Sequence, residues 1–423
     1  MTAPKAPAPI PAPLGAVLGL TFVNSLGTGA VTNGFGFIVE QAYGSSDTVK
    51  FGLGVVLGIT YIAGAFAVGP VLRRATAALP GLSTRGATLI VLLALGGLCF
   101  VPVLVPNSLW AFLVLILGYS PLSGALWALV ESYLAGGRRG VALRRATGWF
   151  NLSWAGAVAM ASWLMAPLLE GQPLAILGLL GLAHVLSAGF LVPLRPEPAR
   201  HAEEEARDYP AIHRDLLRAF RVLLPLSYVV FSAWTPYAPT ATAAVGLPIV
   251  WQTPVTSIWQ IARVATFFVM QRWSGWHGRW ATAVVGAGLL LGGFAIALGS
   301  TAMTDDAAGG VQALPLTVLV IGLAALGVGM GAVYAAALYY AMAVGNAAVD
   351  AGGTHEGLVG IGYTAGPMCG LAAVGLAGAG VFPDANVQTL IFVLVAATCL
   401  AAIVPLAAML RKARRNTGLR EVR

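Results

Sequence analysis

A single arginine lies deep in an otherwise apolar stretch of the chain. The segment TSIWQIARVATFFVMQR (256–272) is apolar enough to cross a membrane and carries Arg263 near its middle. Such a charge costs about 2.5–3.5 kcal/mol on insertion scales, which makes it a functional hypothesis. Gln260, Arg263 and Phe267, spaced by three and four residues, share one helix face. A guanidinium with a glutamine beside it suits a carboxylate or phosphate. The alternative is that Arg263 pairs within the protein.

Other candidates for contact with a solute are polar or amphipathic side chains inside apolar segments. They are Asn24, Asn151, Trp154, Tyr228, Tyr334 and Tyr363. Asn24 belongs to a polar stripe that either lines a cavity or bridges helices by hydrogen bonds. Rings with a polar tip suit a solute that has an apolar part.

One acidic residue, Glu131, has two interpretations. It lies about one turn from the predicted inner end of its segment, and Arg144 and Arg145 follow in the next inner loop. It could form a gate ion pair with these arginines, or with Arg73 or Arg74, or it could carry a proton for a coupled transporter. We favour the gate, because Glu131 is close to the inner water.

The histidines do not indicate a metal site or a catalytic centre. His184 lies midway along an apolar segment and is expected to pack through hydrogen bonds. His355 and Glu356 stand together, and Thr354 before them is a candidate helix cap, which gives the pair a gate or capping role. They lack a third ligand nearby. We therefore expect no metal, no other cofactor and no catalytic residues.

The elements that must position these residues are membrane helices. The chain has 423 residues, of which 58% are hydrophobic and 9% charged, with mean hydropathy +0.82. Soluble proteins carry about 25% charged residues, so the composition indicates an all-α polytopic membrane protein. Twelve apolar segments are predicted at 14–38, 51–73, 86–106, 108–134, 145–168, 172–194, 219–241, 253–272, 280–301, 314–343, 357–380 and 387–410.

The charges predict the orientation of these segments. With both termini inside, 22 of the 24 lysines and arginines fall in inner segments, while Arg263 lies in the membrane and Lys50 outside. This asymmetry predicts the inner (plasma) membrane with cytoplasmic termini, and it explains the net charge of +8 without nucleic acid. The charged stretch 195–218 is predicted to be a cytoplasmic linker with a short surface helix, joining six-helix halves at 1–194 and 219–423.

Several motifs carry a family resemblance. Gly124-Ala-Leu-Trp127 is echoed by Gly331-Ala-Val-Tyr334, which indicates a weak repeat. The segments GIGYTAGPMCG (360–370) and GWHGR (275–279) are similar to motifs of the major facilitator superfamily. Two further segments, ALWALVESYLAGG and GWFNLSWAG, resemble those of prokaryotic members. The first-half loop GPVLRRATAALPGLSTRG lacks the family's aspartate, and the fifth segment lacks its Gly-Pro pair.

The resemblance implies a fold and a mechanism. The first, fourth, seventh and tenth helices are expected to line a cavity, with the second, fifth, eighth and eleventh beside them. Gly366 and Pro367, in the matching motif, become gating candidates. The resemblance implies a monomeric secondary transporter, not an enzyme, that moves a small solute by alternating access.

Coupling to a proton or another ion is possible in such a carrier, and the absence of an acid at the depth of Arg263 favours an anionic solute. The competing classes are an intramembrane enzyme acting on lipid, which would need clustered His, Asp or Glu, and a sensor or scaffold derived from a transporter.

Overall fold

The structure is a computed structural model that describes residues 10–79, 81–199, 210–305, 310–344, 349–382 and 385–421. These residues form helices joined by short connections, and they contain no strand. The helices are α1 (Leu14–Gly27), α2 (Phe35–Tyr43), α3 (Asp47–Ala78), α4 (Thr84–Leu104), α5 (Leu109–Ala135), α6 (Gly140–Leu169), α7 (Ala175–Ser187), α8 (Ala211–Trp234), α9 (Ala238–Ala244), α10 (Ile249–Thr256), α11 (Ile258–Arg272), α12 (Trp280–Gly299), α13 (Ala313–Val344), α14 (Val349–Gly378) and α15 (Val387–Glu421).

The all-helical membrane class predicted from composition is confirmed. Within the described residues, ten helices are long and apolar enough to cross a membrane. The other two predicted segments form shorter helices. Segment 172–194 contains α7 and a 3-10 turn that ends at Leu191, and segment 253–272 is divided between α10 and α11.

Three predicted segments are interrupted at residues with clear local causes. In the first, α1 passes into a π-helical turn, Thr28–Asn33, and Gly34 separates that turn from α2. In the seventh, α8 ends at Trp234 just before Pro236, whose ring nitrogen cannot donate a helical hydrogen bond. In the eighth, α10 ends at Thr256, two residues after Pro254.

Two predicted helix starts are earlier in the structure. Helix α8 begins at Ala211, inside the stretch assigned to the linker, so the surface helix and the seventh segment are continuous. Helix α14 begins at Val349, which places Thr354 within the helix and not at its cap. The proposed capping role of Thr354 is therefore wrong.

The helices divide by sequence into an N-terminal set (α1–α7) and a C-terminal set (α8–α15), which meet along two seams. One seam joins α3 to α14, and the other joins α6 to α10 and α11. At the first seam, a Cβ added to Gly58 would lie 2.5 Å from the backbone nitrogen of Thr364. The backbones of α3 and α14 therefore touch directly, a packing that small residues permit in membranes.

The helices farthest from these seams present apolar side chains outward. Exposed residues on α4, α7, α12 and α15 include Ile90, Leu93, Leu179, Leu186, Val284, Val285, Leu400 and Val404. These helices correspond to the third, sixth, ninth and twelfth predicted segments, which the family resemblance places against lipid.

The two copies of the short repeat occupy equivalent positions. A Cβ on Gly124 would lie 3.3 Å from the carbonyl oxygen of Tyr61 on α3, and one on Gly331 would lie 3.2 Å from that of Arg263 on α11. In each copy the aromatic residue three positions later faces the centre of the bundle. In each copy the glycine allows two helix backbones to come close, and the aromatic ring three residues later points to the interior of the bundle.

The two ends of the bundle differ in charge. The basic end carries arginines that hold loops together: the Arg138 guanidinium donates to the carbonyl oxygen of Ala12, and Arg85 Nη1 donates to that of Leu194 at 3.0 Å. At the opposite, acidic end, Lys50 is only 1% exposed. It is therefore a buried residue and not the loop cation that the charge count suggested.

Lys50 belongs to a cluster that joins the two sets at the acidic end. Its Nζ contacts the Glu40 carboxylate, lies 2.8 Å from Asp47 Oδ1 and donates to Thr240 Oγ1 at 2.9 Å. The Thr240 hydroxyl donates to Asp47 Oδ1 at 2.6 Å. Because Thr240 comes from α9 and the others from α2 and α3, the cluster closes this end. We call Glu40, Asp47, Lys50 and Thr240 the latch.

Candidate functional site

A cavity of about 60 Å³ lies at the centre of the bundle, where the two sets meet. Helices α3, α5, α6, α8, α13 and α14 and the π-helical turn contribute its walls. The lining residues are Thr28, Tyr61, Trp127, Glu131, Phe150, Trp154, Tyr228, Tyr334, Glu356, Val359 and Tyr363. They come from the first, second, fourth, fifth, seventh, tenth and eleventh predicted segments, in agreement with the expected division between cavity and lipid.

Arg263 is buried beside this cavity between two indole rings. Its guanidinium carbon lies 4.5 Å from the ring centre of Trp154 and 4.6 Å from that of Trp259. The side chain is 2% exposed, and its Nη1 has only a long contact of 4.0 Å with Met330 Sδ. Cation–π contacts partly replace the lost water, and they are stronger in a desolvated site.

The guanidinium nevertheless has unused donors. Nε and Nη2 of Arg263 are buried, and neither has a hydrogen-bond partner among the described residues. A buried charged donor without a partner is costly. In shape and charge, two adjacent guanidinium donors match the two oxygens of a carboxylate or phosphate.

Four tyrosines line the cavity, and three of them, Tyr228, Tyr334 and Tyr363, interact electrostatically with Arg263. The rings of Tyr228 and Tyr363 lie 5.1 Å apart, and the ring of Tyr363 is 5.5 Å from that of Tyr61. Tyr334 completes the set of four tyrosines in the cavity lining. Their rings provide an apolar surface and their hydroxyls hydrogen-bonding groups.

Three rings separate the cavity from a larger opening at the basic end. Phe267 packs against Trp154 and Tyr334 with ring centres 5.9 and 5.6 Å away, and Trp154 and Tyr334 are 5.4 Å apart. Trp154 and Tyr334 line the cavity, whereas Phe267 lines the opening. We call these three residues the aromatic partition.

The opening beyond the partition, which we call the vestibule, measures about 370 Å³. Its walls carry Arg144, Arg145, Arg272 and His277. Burial, together with the nearby charges of His213 and Arg144, lowers the pKa of His277, which favours its neutral form. The arginines keep the vestibule positive, and such a surface attracts anions.

Two glutamates face the cavity from different sets. Glu131 extends from α5, and Glu356 from α14 is 7% exposed and accepts a hydrogen bond from the Tyr61 hydroxyl. Within the described chain, no salt bridge joins Glu131 to Arg144 or Arg145. Glu131 lies at the cavity and the two arginines at the vestibule, so the ion-pair gate is not formed in this structure.

Asn24 lies in a hydrogen-bond network inside the N-terminal set and does not line the cavity. Its Nδ2 donates to the Leu20 carbonyl oxygen at 2.8 Å and to Ser187 Oγ at 3.0 Å. Its Oδ1 therefore accepts from His184 Nδ1 at 2.7 Å, which leaves His184 Nε2 to accept from the Tyr119 hydroxyl at 2.9 Å. Asn24 and His184 thus join α1, α5 and α7.

The remaining predicted site residues take supporting positions. Gln260 Oε1 accepts from Ser162 Oγ at 3.3 Å across the α6–α11 seam. Asn151 lines the vestibule, and its Oδ1 accepts from Trp154 Nε1 at 3.1 Å, which orients that indole over Arg263.

The Gly-Pro pair lies where α14 crosses two other helices. A Cβ on Gly366 would lie 2.3 Å from the carbonyl oxygen of Val229 on α8, so this position requires glycine. A Cβ on Gly54 of α3 would lie 2.9 Å from Pro367 Cγ. The pair therefore joins α14 both to its own set and to the other set.

Sequence reasoning missed several residues that the structure brings to the site. Trp127 could have been found from the repeat, because it matches Tyr334. Trp259 lies four residues before Arg263 and so shares its helix face. Tyr61 and Glu356 are 295 residues apart, and the sequence contains no signal for their contact.

Known proteins with a similar structure share little sequence with this chain. No family model and no curated protein matches the sequence. The nucleoside transporter NupG has a similar structure, with TM-score 0.63 and 12% identity over 94% of this chain and 98% of that chain. The POT family transporter PepTSo gives TM-score 0.65 and 14% identity over 94% and 97%. A bacterial homologue of the human lysosomal transporter Spinster, inward-facing and unoccupied, gives 0.62 and 13% over 93% and 94%.

These neighbours are all transporters of the major facilitator type, and none is an enzyme. The chain therefore has the major facilitator fold, and the resemblance seen in its motifs is confirmed at the level of fold. At 12–14% identity the comparison shows the fold alone. A membrane protein with a transporter fold is what the structure and its neighbours define.

Proposed function

We propose that this protein is a secondary transporter for a small solute that carries an anionic group. The observation that carries the proposal is Arg263, which is buried beside the central cavity with Nε and Nη2 unpaired. The positive vestibule supports it, because it would raise the local concentration of an anion. The tyrosines favour a solute that also has an apolar part.

The direct test compares how much solutes stabilise the parent protein and the variant Arg263→Gln. Purified protein is heated with anionic solutes and with their neutral isosteres. At 100 times Kd, a ligand that binds only the native state stabilises it by about 2.7 kcal/mol. We expect that gain in the parent and in the exposed control Arg218→Gln, and none in Arg263→Gln. Equal stabilisation of Arg263→Gln by anions would contradict the proposal. Flux of the same solutes in reconstituted vesicles separates a transporter from a sensor.

The movement we propose is alternating access between two six-helix halves, 1–194 and 219–423, with twelve crossings in a monomer. The closed latch at the acidic end and the vestibule at the basic end support this movement, since they make access to the cavity one-sided. Gly366 and Pro367 support a gating role, because they lie at the crossing that must shift.

We further propose the inner membrane, with both termini cytoplasmic, because this orientation puts the basic end inside. Cysteines introduced into the loops, probed with an impermeant reagent in intact cells, test it. Labelling of positions at the basic end from outside the cell would show that the orientation is the opposite of the one proposed.

Coupling to a proton is proposed through Glu131. It faces the cavity without a salt-bridge partner in the described chain, so it can exchange a proton with cavity water. We expect an imposed pH gradient to accelerate uptake in the parent and in Glu170→Gln, an exposed control, but not in Glu131→Gln. If the pH gradient changes the flux in none of the three proteins, proton coupling is excluded.

A further inference from the structure

The central cavity has a second charged pole besides Arg263. Glu131 and Glu356 both line it, one from each set, and Tyr61 donates to Glu356. In the described part of the chain neither carboxylate has a lysine or arginine within 4 Å. Two carboxylates around one small cavity repel each other, and they require either a proton or a cation between them.

Arg263 does not supply that cation. Its guanidinium is enclosed by Trp154 and Trp259, and it forms no ion pair with either glutamate. Tyr228 and Tyr363 line the cavity, and both interact electrostatically with Arg263. We call the two glutamates in the cavity lining the acceptor-rich pole, and Arg263, which lies beside the cavity against two indole rings, the donor-rich pole.

The chemistry of the acceptor-rich pole fits a primary ammonium group. Such a group has three N–H donors and no acceptor. Oxygens of Glu131 and Glu356 and the hydroxyl oxygen of Tyr61 provide acceptors on three helices, α5, α14 and α3. An ammonium group bound there would connect the two sets, so its arrival would affect the seam as well as the cavity.

Resting on the proposed function, we infer that the solute is a zwitterion. Its anionic group binds Arg263, and its primary ammonium group binds between Glu131 and Glu356. The part that joins the two groups lies against Tyr228, Tyr334 and Tyr363. The substrate class is thus a small amino-carboxylate or a similar molecule with opposite charges at its two ends.

Matched probes test the inference by thermal stabilisation of the full-length protein. Three zwitterions of different charge separation are used: phenylalanine, γ-aminobutyrate and ε-aminocaproate. Each is compared with its des-amino acid (phenylpropionate, butyrate, hexanoate) and with its des-carboxy amine (phenylethylamine, propylamine, pentylamine). We expect at least one zwitterion to bind about tenfold or more tightly than either counterpart, because a hydrogen bond to a charged group contributes about 1.5–3 kcal/mol.

The glutamate variants locate the ammonium group. In Glu131→Gln and Glu356→Gln, the preference for the zwitterion over its des-amino acid is expected to fall about tenfold, while the affinity for the des-amino acid is retained. The control Glu170→Gln keeps the full preference. Retained binding of the des-amino acid also shows that the variants are folded.

The possible failures are distinguishable. If no zwitterion binds better than its des-amino acid, while Arg263→Gln abolishes binding of that acid, the zwitterion inference is overturned and the anion proposal stands. Both glutamate variants could lose the response to a pH gradient and still prefer the zwitterion over its des-amino acid. The carboxylates would then carry protons only, and the inference would again be overturned. If no anion binds in an Arg263-dependent way, the proposed function is wrong, and the zwitterion inference that rests on it is overturned as well.

Discussion

Arg263 is held in the membrane by its neighbours. Two indoles cover the faces of the guanidinium, and the Asn151 side chain fixes one of those indoles through Trp154 Nε1. This support explains how an arginine can keep unpaired donors at the centre of a bundle. A lysine has a compact charge and no planar fork, so it would neither stack between the rings nor bind two oxygens in the same way.

Asn24 illustrates a polar residue whose role is structural. Asn24→Ala is expected to lower the free energy of unfolding by about 1–2 kcal/mol, because it removes several buried hydrogen bonds and membrane examples range up to about 1.7 kcal/mol each. Solute-dependent stabilisation should be unchanged, since Asn24 does not line the cavity. Unfolding of the reconstituted protein and thermal shifts with solute measure the two effects.

Thr317→Ala is the matched control, because Thr317 is exposed and bonds only to its own helix at Ala313. It should leave both quantities unchanged. Loss of solute binding in Asn24→Ala without loss of stability would show that Asn24 contacts the solute.

At the scale of the elements, glycines decide how closely the helices approach. Gly58 and Gly52 lie on the same helix, α3, but only Gly58 faces α14. Gly58→Ala is expected to destabilise the protein by about 1–3 kcal/mol, because the new methyl group would meet backbone atoms 2.5 Å away. Transport should fall with it, because the two sets would be held apart. Denaturation and vesicle flux measure the two effects.

Gly52→Ala is the control for this substitution. A Cβ at Gly52 meets no atom within 4 Å, so alanine should be neutral or stabilise the helix by up to about 1 kcal/mol. Similar losses in the two variants would show that the seam is not the cause.

The elements also show where sequence reasoning reached its limit. Apolar length predicted where the helices are, and Pro236 is the sequence feature that explains why α8 ends at Trp234. The division of segment 253–272 at Ser257 was missed, because apolar content does not change there. Charge sorting placed Lys50 outside but could not show that Glu40, Asp47 and Thr240 would bury it.

The cavity shows the same limit. Trp154, Tyr228, Tyr334 and Tyr363 could be predicted from their type and depth, and the structure brings them together. Glu131 was assigned a gate because its depth was judged from helix length alone. Which acid faces which cavity depends on how distant helices pack, and no local pattern encodes that.

For the whole molecule, the latch determines access at the acidic end. Lys50→Met leaves Glu40 and Asp47 as like charges without their cation, so this end should open more often. The reporter is Ala238→Cys on α9, a buried position, in protein whose three cysteines are replaced by alanine. We expect maleimide labelling to become about tenfold faster, which corresponds to about 1.4 kcal/mol.

Arg218→Ala serves as the control for the latch. It removes an exposed ion pair with Asp215 at the other end of the molecule, and exposed pairs contribute little. Its labelling rate should match the parent. An unchanged rate in Lys50→Met would mean that other contacts close the acidic end.

The two charged poles of the cavity have an electrical consequence. A zwitterion moves no net charge across the membrane, so under the proposed coupling the voltage response of its transport comes from the proton. Each net charge that crosses gains about 2.3 kcal/mol per 100 mV.

Uptake of a zwitterion into vesicles with an imposed potassium diffusion potential should therefore rise when the interior is negative. Glu131→Gln should remove that rise, with exchange of the zwitterion measured at a higher solute concentration to offset its weaker binding. A voltage response that survives in this variant would assign the moving charge to another group. With a proton bound at Glu131, this carrier would generate current, and without one it would be electrically silent.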